Sequence, residues 1–276
     1  MSLNLQSTTT LNNDVEMPWL GLGVYQSEAG EEVERAVSTA LEIGYRSIDT
    51  ATLYGNEKGV GNAVRSSGVP REEIFVTTKV WNSDQGYDST LKAFDASAER
   101  LNIDYVDLYL IHWPGNKLYL ETWRALEKLY ADGRVHAIGV SNFQIHHLQD
   151  IFANSDIVPV VNQVELHPRL RQKELHDFCR EHTIQIEAWS PLMRGRILDH
   201  ETLVNIGESY GKTAAQVILR WHLQREIVTI PKSVTPSRIA ENADIFDFEL
   251  SEGELAAIDN IDQHKRVGPN PDTFTF

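Results

Sequence analysis

Asp49, Tyr54, Lys79 and His112 are four ionisable residues of different kinds, each standing at or just past the end of a short apolar run. Arg46-Ser47-Ile48 leads into Asp49, with Tyr54 on the loop just beyond it. Ile74-Phe75-Val76-Thr77-Thr78 leads into Lys79, and the run 106–111 leads into His112. If the runs are neighbouring strands, the four side chains converge. A phenol is a poor acid near neutrality, with a pKa of about 10. A buried lysine ammonium beside it stabilises the phenolate and lowers that pKa. The lysine needs a counter-charge to stay protonated, which Asp49 supplies, and His112 can hydrogen-bond a substrate oxygen and orient it. Together they read as a proton donor suited to a carbonyl oxygen that is receiving a hydride. Singly, each has a structural reading: a salt bridge for Asp49 with Lys79, a strand cap for His112, an ordinary loop residue for Tyr54. Their joint placement favours chemistry.

Four more runs end the same way. Ala137-Ile138-Gly139-Val140 meets Ser141-Asn142, and Val158-Pro159-Val160-Val161-Asn162 meets Gln163. Ile184-Gln185-Ile186-Glu187-Ala188-Trp189 meets Ser190, and Ile227-Val228-Thr229-Ile230-Pro231 meets Lys232-Ser233. A core strand has no packing reason to finish on Asp, Lys, His or Gln. A barrel of parallel strands does, because its active site is built from strand ends at the C-terminal mouth. With the short strand Trp19-Leu20-Gly21-Leu22 the runs supply an eightfold barrel. Helical periods separate them over residues 31–43, 57–65, 89–101, 120–130 and 173–181. Gly44, Gly68 and Gly133 end several of these. Continuous alternation without a linker predicts one domain over residues 1–276, a (β/α)8 TIM barrel of α/β class. A hairpin around Asn12-Asn13-Asp14 precedes it, and C-terminal extra helices over 236–243 and 251–258 and a Pro/Gly tail over 267–276 come after it.

The formal charge of -15 argues against a nucleic-acid or anionic-membrane partner and requires local cations if the ligand is an anion. Cys179 is the only cysteine, which excludes an intrachain disulfide, suits a reducing compartment and reads as a small buried hydrophobe. Residues 1–10 have no basic start and no apolar core, and no apolar run reaches membrane-spanning length, so a cytoplasmic protein is expected. Gly207-Glu208-Ser209-Tyr210-Gly211-Lys212-Thr213 has one residue too few for a phosphate loop and comes after a helix. Gly59-Val60-Gly61 and Gly21-Leu22-Gly23 lack the third glycine of a dinucleotide fingerprint. His146-His147 and His176 with His182 lack compact metal-ligand spacing, so no metal is expected.

Several stretches carry a family resemblance. Asp49-Thr50-Ala51-Thr52-Leu53-Tyr54-Gly55-Asn56-Glu57, Leu110-Ile111-His112-Trp113-Pro114 and Gly139-Val140-Ser141-Asn142-Phe143 resemble the aldo-keto reductase family. So do Asn162-Gln163-Val164-Glu165, Ala188-Trp189-Ser190-Pro191-Leu192 and Ile230-Pro231-Lys232-Ser233, in family order. The chain most resembles the bacterial branch of 2,5-diketo-gluconate and glyoxal/methylglyoxal reductases. The resemblance implies that Asp49, Tyr54, Lys79 and His112 form a catalytic tetrad with Tyr54 as general acid. It implies NADP(H) as cofactor, with Ser141, Asn142 and Gln163 on the nicotinamide carboxamide and Trp189 stacked on the ring. Ser190 and Leu192 are implied at the cofactor as well, Lys232, Ser233 and Arg238 at the 2′-phosphate, and Asn242 with Glu241 near the adenine. A phosphate site after the last strands of a barrel is a recurrent arrangement. Tyr25, Trp81 and Trp113, with His112, would line a substrate pocket that a short 114–119 connection and a short tail leave open, which suits small carbonyls. A monomer is expected. Two rivals remain: a lyase using Lys79 as Schiff base, and a non-catalytic NADP(H)-binding sensor or subunit on the same fold.

Overall fold

The computed structural model describes residues 3–115 and 118–274. β1 (Thr8–Thr10) and β2 (Glu16–Pro18) pair antiparallel as the expected hairpin. The main sheet runs in chain order through β3 (Leu22–Gly23), β4 (Ser47–Asp49), β5 (Phe75–Val80) and β6 (Val106–Ile111). It continues through β7 (Val135–Ser141), β8 (Val161–Glu165), β9 (Gln185–Trp189) and β10 (Val228–Thr229), every pair parallel. The two edges meet through parallel bridges from Leu20 to Thr229 and from Gly23 to Lys232, closing a (β/α)8 barrel. A Cβ on Gly23 would lie 2.9 Å from the Ile230 carbonyl, so this seam needs glycine for its close approach. That is the structural task of a residue whose motif lacks the third glycine of a dinucleotide fingerprint.

The strand ends fall close to the expected positions, with shifts at β8 and at β10, which stops at Thr229 rather than Pro231. The run ending on Gln163 was expected over 158–162, whereas β8 extends past Gln163 to Glu165. Pro159 has no N–H to give, and regular pairing begins beyond it. Gln163 therefore points into the barrel from within a strand.

The helices are α1 (Glu31–Ile43), α2 (Glu57–Ser66), α3 (Tyr87–Leu101), α4 (Tyr119–Ala131) and α5 (Ile145–Asn154). Then come α6 (Lys173–Glu181), α7 (Glu201–Tyr210), α8 (Ala214–Gln224), α9 (Pro236–Ala243) and α10 (Glu252–Asp259). α1 buries Val33, Ala36, Val37, Ala40 and Leu41, the face its periodicity predicts. α8 is buried at every position from Ala214 to Leu223, although Gln216, Arg220 and Gln224 form a polar stripe at helical spacing. α7 is an additional helix between β9 and β10, and Gly211 ends it at φ 65°. Gly61 on α2 is a packing residue, since a Cβ there would lie 1.8 Å from the Leu101 carbonyl on α3. Beneath the barrel, hairpin residues Leu11 and Met17 pack with Phe75, Leu108 and Val161 and close that end. Among the described residues no helix is long and apolar enough to cross a membrane.

Candidate active site

A cavity of about 690 Å³ opens at the C-terminal mouth. Lys79 lies beneath its floor, fully buried, and its Nζ donates to both Asp49 carboxylate oxygens (2.7 and 2.8 Å) and to the Thr50 carbonyl (2.9 Å). Burial is the largest single influence on Lys79 and disfavours its charge. The Asp49 carboxylate, Tyr54 and Glu187 outweigh it and hold the pKa above the ordinary lysine range. Tyr54 sits on a short 3-10 turn, Thr52–Tyr54. Asn56 ties that turn down: its amide donates to the carbonyls of Val24 (3.0 Å) and Ser27 (3.2 Å) and accepts from the Thr50 hydroxyl (2.8 Å). The phenol ring centre then lies 5.1 Å from the Lys79 ammonium.

Here the structure departs from the expected lowered phenol pKa. Burial pushes Tyr54 up to about 12, because the charge and hydrogen bond of Lys79 only partly offset the lost hydration. Tyr54 is a fully protonated phenol near neutrality. His112 comes just after β6, with its ring edge-on at 5.7 Å to Tyr54 and 5.1 Å to Trp81. Burial first, and then the Lys79 charge, push its pKa well below the ordinary value, so the imidazole is neutral. Its Nδ1 is buried with no hydrogen-bond partner among the described residues.

Beside the tetrad the remaining polar groups hold one another. The Ser141 hydroxyl donates to the Gln163 carbonyl (2.7 Å), and the Asn142 amide donates to the His112 carbonyl (2.9 Å). Asn142 Oδ1 accepts from Trp189 Nε1 (2.9 Å) and fixes the indole. Asn142 takes a left-handed φ of 66°, an uncommon conformation that asparagine tolerates better than most residues. Ser190 and Leu192 continue the cavity wall toward Lys232, Ser233, Arg238, Glu241 and Asn242. Lys232 and Arg238 are exposed and form no ion pair among the described residues, whereas Ser233 and Asn242 are buried. The Glu241 carboxylate is engaged by the Thr213 hydroxyl (2.8 Å). Two unpaired cations at one end and a fixed indole face at the other suit a phosphorylated dinucleotide. Every expected site residue lines this cavity except Lys79, which acts from below.

Sequence reasoning missed four contributors. Arg194, at φ 55° on the turn Met193–Gly195, is a third cation on the wall. The signal was there, since Met193-Arg194-Gly195 continues the matched stretch ending at Leu192. Glu187 lies inside the barrel, hidden in an alternating strand pattern. Pro269 and Phe274 bring the tail onto the wall, with Phe274 packed 4.6 Å from Trp113. The short tail thus closes part of a mouth expected to be open. It is held by the buried Glu165, whose carboxylate accepts from the Val267 and Gly268 N–H groups and pairs with His167. A Cβ on Gly268 would lie 2.4 Å from the Trp189 indole, so the tail also supports that ring. Tyr25 stands at the rim, 44% exposed and 5.0 Å from Tyr54. Asn116 and Lys117 of the 114–119 connection lie outside the described residues.

Of the histidines expected to lack a compact metal-ligand arrangement, two do cluster with a carboxylate: His146 Nε2 lies 3.1 Å from His147 Nε2 and 3.5 Å from Asp272. His147 Nδ1 accepts the Gln144 N–H, so in the neutral ring Nε2 carries the proton and offers no lone pair to a cation. Cys179 is buried, and burial raises its pKa to about 12, as an inert core thiol.

The fold and the tetrad at its mouth define a class, and comparison with known proteins agrees with it. Residues 19–263 match the profile of the Aldo/keto reductase family. The chain is 59% identical to a glyoxal reductase of Bacillus subtilis over the full length of both. It is 50% identical to the methylglyoxal reductase DkgA of Escherichia coli over 94% of each chain. A crystal structure of a Gox0644 mutant in complex with NADPH superposes with a TM-score of 0.94 at 46% identity, covering 98% of this chain and 99% of that one. The chain belongs to the aldo/keto reductase family, and its similarity is to the glyoxal and methylglyoxal reductase branch.

Proposed function

We propose that this protein reduces small aldehydes and ketones, α-oxoaldehydes and keto-sugars among them, to alcohols with NADPH. The observation that carries the reading is the Lys79–Asp49 pair buried directly under a phenol that faces the cavity beside a neutral imidazole. The activities for which the glyoxal and methylglyoxal reductase relatives are named support it, as does the NADPH complex of the structural neighbour. When bound, NADPH supplies the hydride to the carbonyl carbon. Ser141, Asn142 and Gln163 hold the carboxamide, Trp189 stacks on the ring, and Ser190, Leu192 and Arg194 run along the diphosphate. Lys232, Ser233 and Arg238 take the 2′-phosphate, with Glu241 and Asn242 near the adenine.

Tyr54 gives its proton to the substrate oxygen. A pKa of about 12 does not prevent this, because the alkoxide formed by hydride addition is a stronger base than the phenolate. Lys79 steadies the phenolate that remains, Asp49 keeps Lys79 charged, and His112 with its proton on Nε2 donates to the same oxygen. The Schiff-base reading is disfavoured, since Lys79 is held protonated with three acceptors and does not line the cavity. The intact tetrad disfavours a non-catalytic sensor. Tyr25, Trp81, Trp113 and Phe274 make an aromatic wall suited to small substrates.

Tyr54→Phe assayed with methylglyoxal tests the mechanism. Turnover should fall about 10²–10⁴-fold while NADPH binding stays unchanged. Turnover within a few-fold of wild type removes Tyr54 from this role. In the same assay, a higher kcat/KM for a steroid ketone than for methylglyoxal overturns the substrate reading.

A further inference from the structure

The mechanism above gives Glu187 no task, although it is fully buried and bonded to a residue on the cavity wall. Gln163 carries two amide hydrogens and one carbonyl oxygen. Its Nε2 donates to Asp49 Oδ2 (2.7 Å) and to Glu187 Oε2 (2.7 Å), so both hydrogens are committed. The opposite orientation would set the carbonyl against the Asp49 carboxylate. Oε1 is therefore the one polar atom of this side chain left to meet a ligand in the cavity. Asp49 alone does not fix the amide, because a group held by a single hydrogen bond still swings about its last bond. Glu187 supplies the second point. Its other oxygen, Oε1, is buried with no partner among the described residues, so holding Gln163 is its only hydrogen-bonding task. Burial and the nearby Asp49 push the Glu187 carboxyl up to about 8, and the protonated form keeps Oε2 as an acceptor.

We propose that Glu187 is a positioning residue that locks the Gln163 amide, so that Gln163 Oε1 accepts from the carboxamide NH₂ of the nicotinamide and fixes how the ring lies. This rests on the reading of Gln163 as a carboxamide contact. The lock acts only on the nicotinamide end of the cofactor, and that separates it from general support of the barrel.

The test titrates NADPH and adenosine 2′,5′-bisphosphate, which lacks the nicotinamide, into five proteins. These are wild type, Gln163→Leu, Glu187→Met, the double variant and Glu187→Gln. Each of the first two single variants should weaken NADPH by about three- to tenfold, as loss of one hydrogen bond predicts. The double variant should be no weaker than Gln163→Leu alone, because Glu187 acts through Gln163. Bisphosphate binding should not change, and Glu187→Gln, which keeps an acceptor in place, should bind NADPH within about twofold of wild type. If Gln163→Leu leaves NADPH affinity unchanged, the carboxamide reading fails and the lock with it. If Gln163→Leu weakens NADPH but Glu187→Met does not, or the two losses add, the lock alone is overturned. Equal loss of NADPH and bisphosphate in Glu187→Met marks a merely structural role and overturns it too. Should Glu187→Met not fold, Glu187→Asp, which withdraws the acceptor and keeps the carboxyl, takes its place in the cycle.

Discussion

Around Tyr54 the side chains are tied to one another, whereas at Lys232 and Arg238 they stand free in solvent. Lys79 has three acceptors, Gln163 two, and the Trp189 indole is fixed by Asn142 on one side and supported by Gly268 on the other. Lys232 and Arg238 have exposed side chains with no ion pair among the described residues. The buried end has met its ordering cost during folding, so its dipoles and charges need little rearrangement as the reaction proceeds. The exposed end orders on binding and supplies attraction that salt screens. One cavity thus separates chemistry from capture.

That contrast predicts turnover effects from one end and affinity effects from the other. The largest belongs to Lys79→Met, which deprives Tyr54 of its cation and should lower kcat by about 10²–10⁴-fold. The variant also leaves Asp49 buried and unpaired, a loss of about 3–5 kcal/mol readable in denaturant melts. Turnover near wild type would break the contrast at its buried end. Next comes Arg238→Ala, which should weaken NADPH by about one to two decades and NADH less, with kcat little changed. Equal losses for both cofactors in a fluorescence titration would show that Arg238 does not read the 2′-phosphate.

The last effect is a stability slope. Folding raises the Glu187 pKa from 4.5 to about 8, so the folded protein holds this proton where the unfolded chain has released it. Stability from this group therefore falls as pH rises from about 4.5 to about 8. Glu187→Gln has no such titration. The Tm of wild type relative to Glu187→Gln should decline across that window, and a constant difference would sink the idea.

Much of the barrel was legible because function leaves residues at strand ends that packing does not explain, such as Asp49 after Ile48 and His112 after Ile111. That logic of strand ends has nothing to say of α8, whose polar residues Gln216, Arg220 and Gln224 repeat along a helix instead. The residues that line the cavity were legible one by one where short motifs carry them. What sequence hides is depth. Tyr54 was expected to be acidified by Lys79, and the dryness of its position reversed the sign. Glu187 sits in a strand that reads as ordinary alternation, and only the closed barrel brings it to Gln163. Phe274 is distant in sequence from Trp113, against which it packs at the mouth.

Glu165 grips the tail by two backbone N–H groups, and any residue except proline offers the same donor. Only Gly268 is constrained by its own side, where the indole leaves no room for a Cβ. From Pro269 onward the anchor makes no demand on side-chain identity. Further along, the segment that forms the wall against Trp113 is tied by side chains as well, through Asn270 and the Asp272–His146 pair. A change at Phe274 would reshape the wall against Trp113 while leaving the backbone anchor of the tail in place.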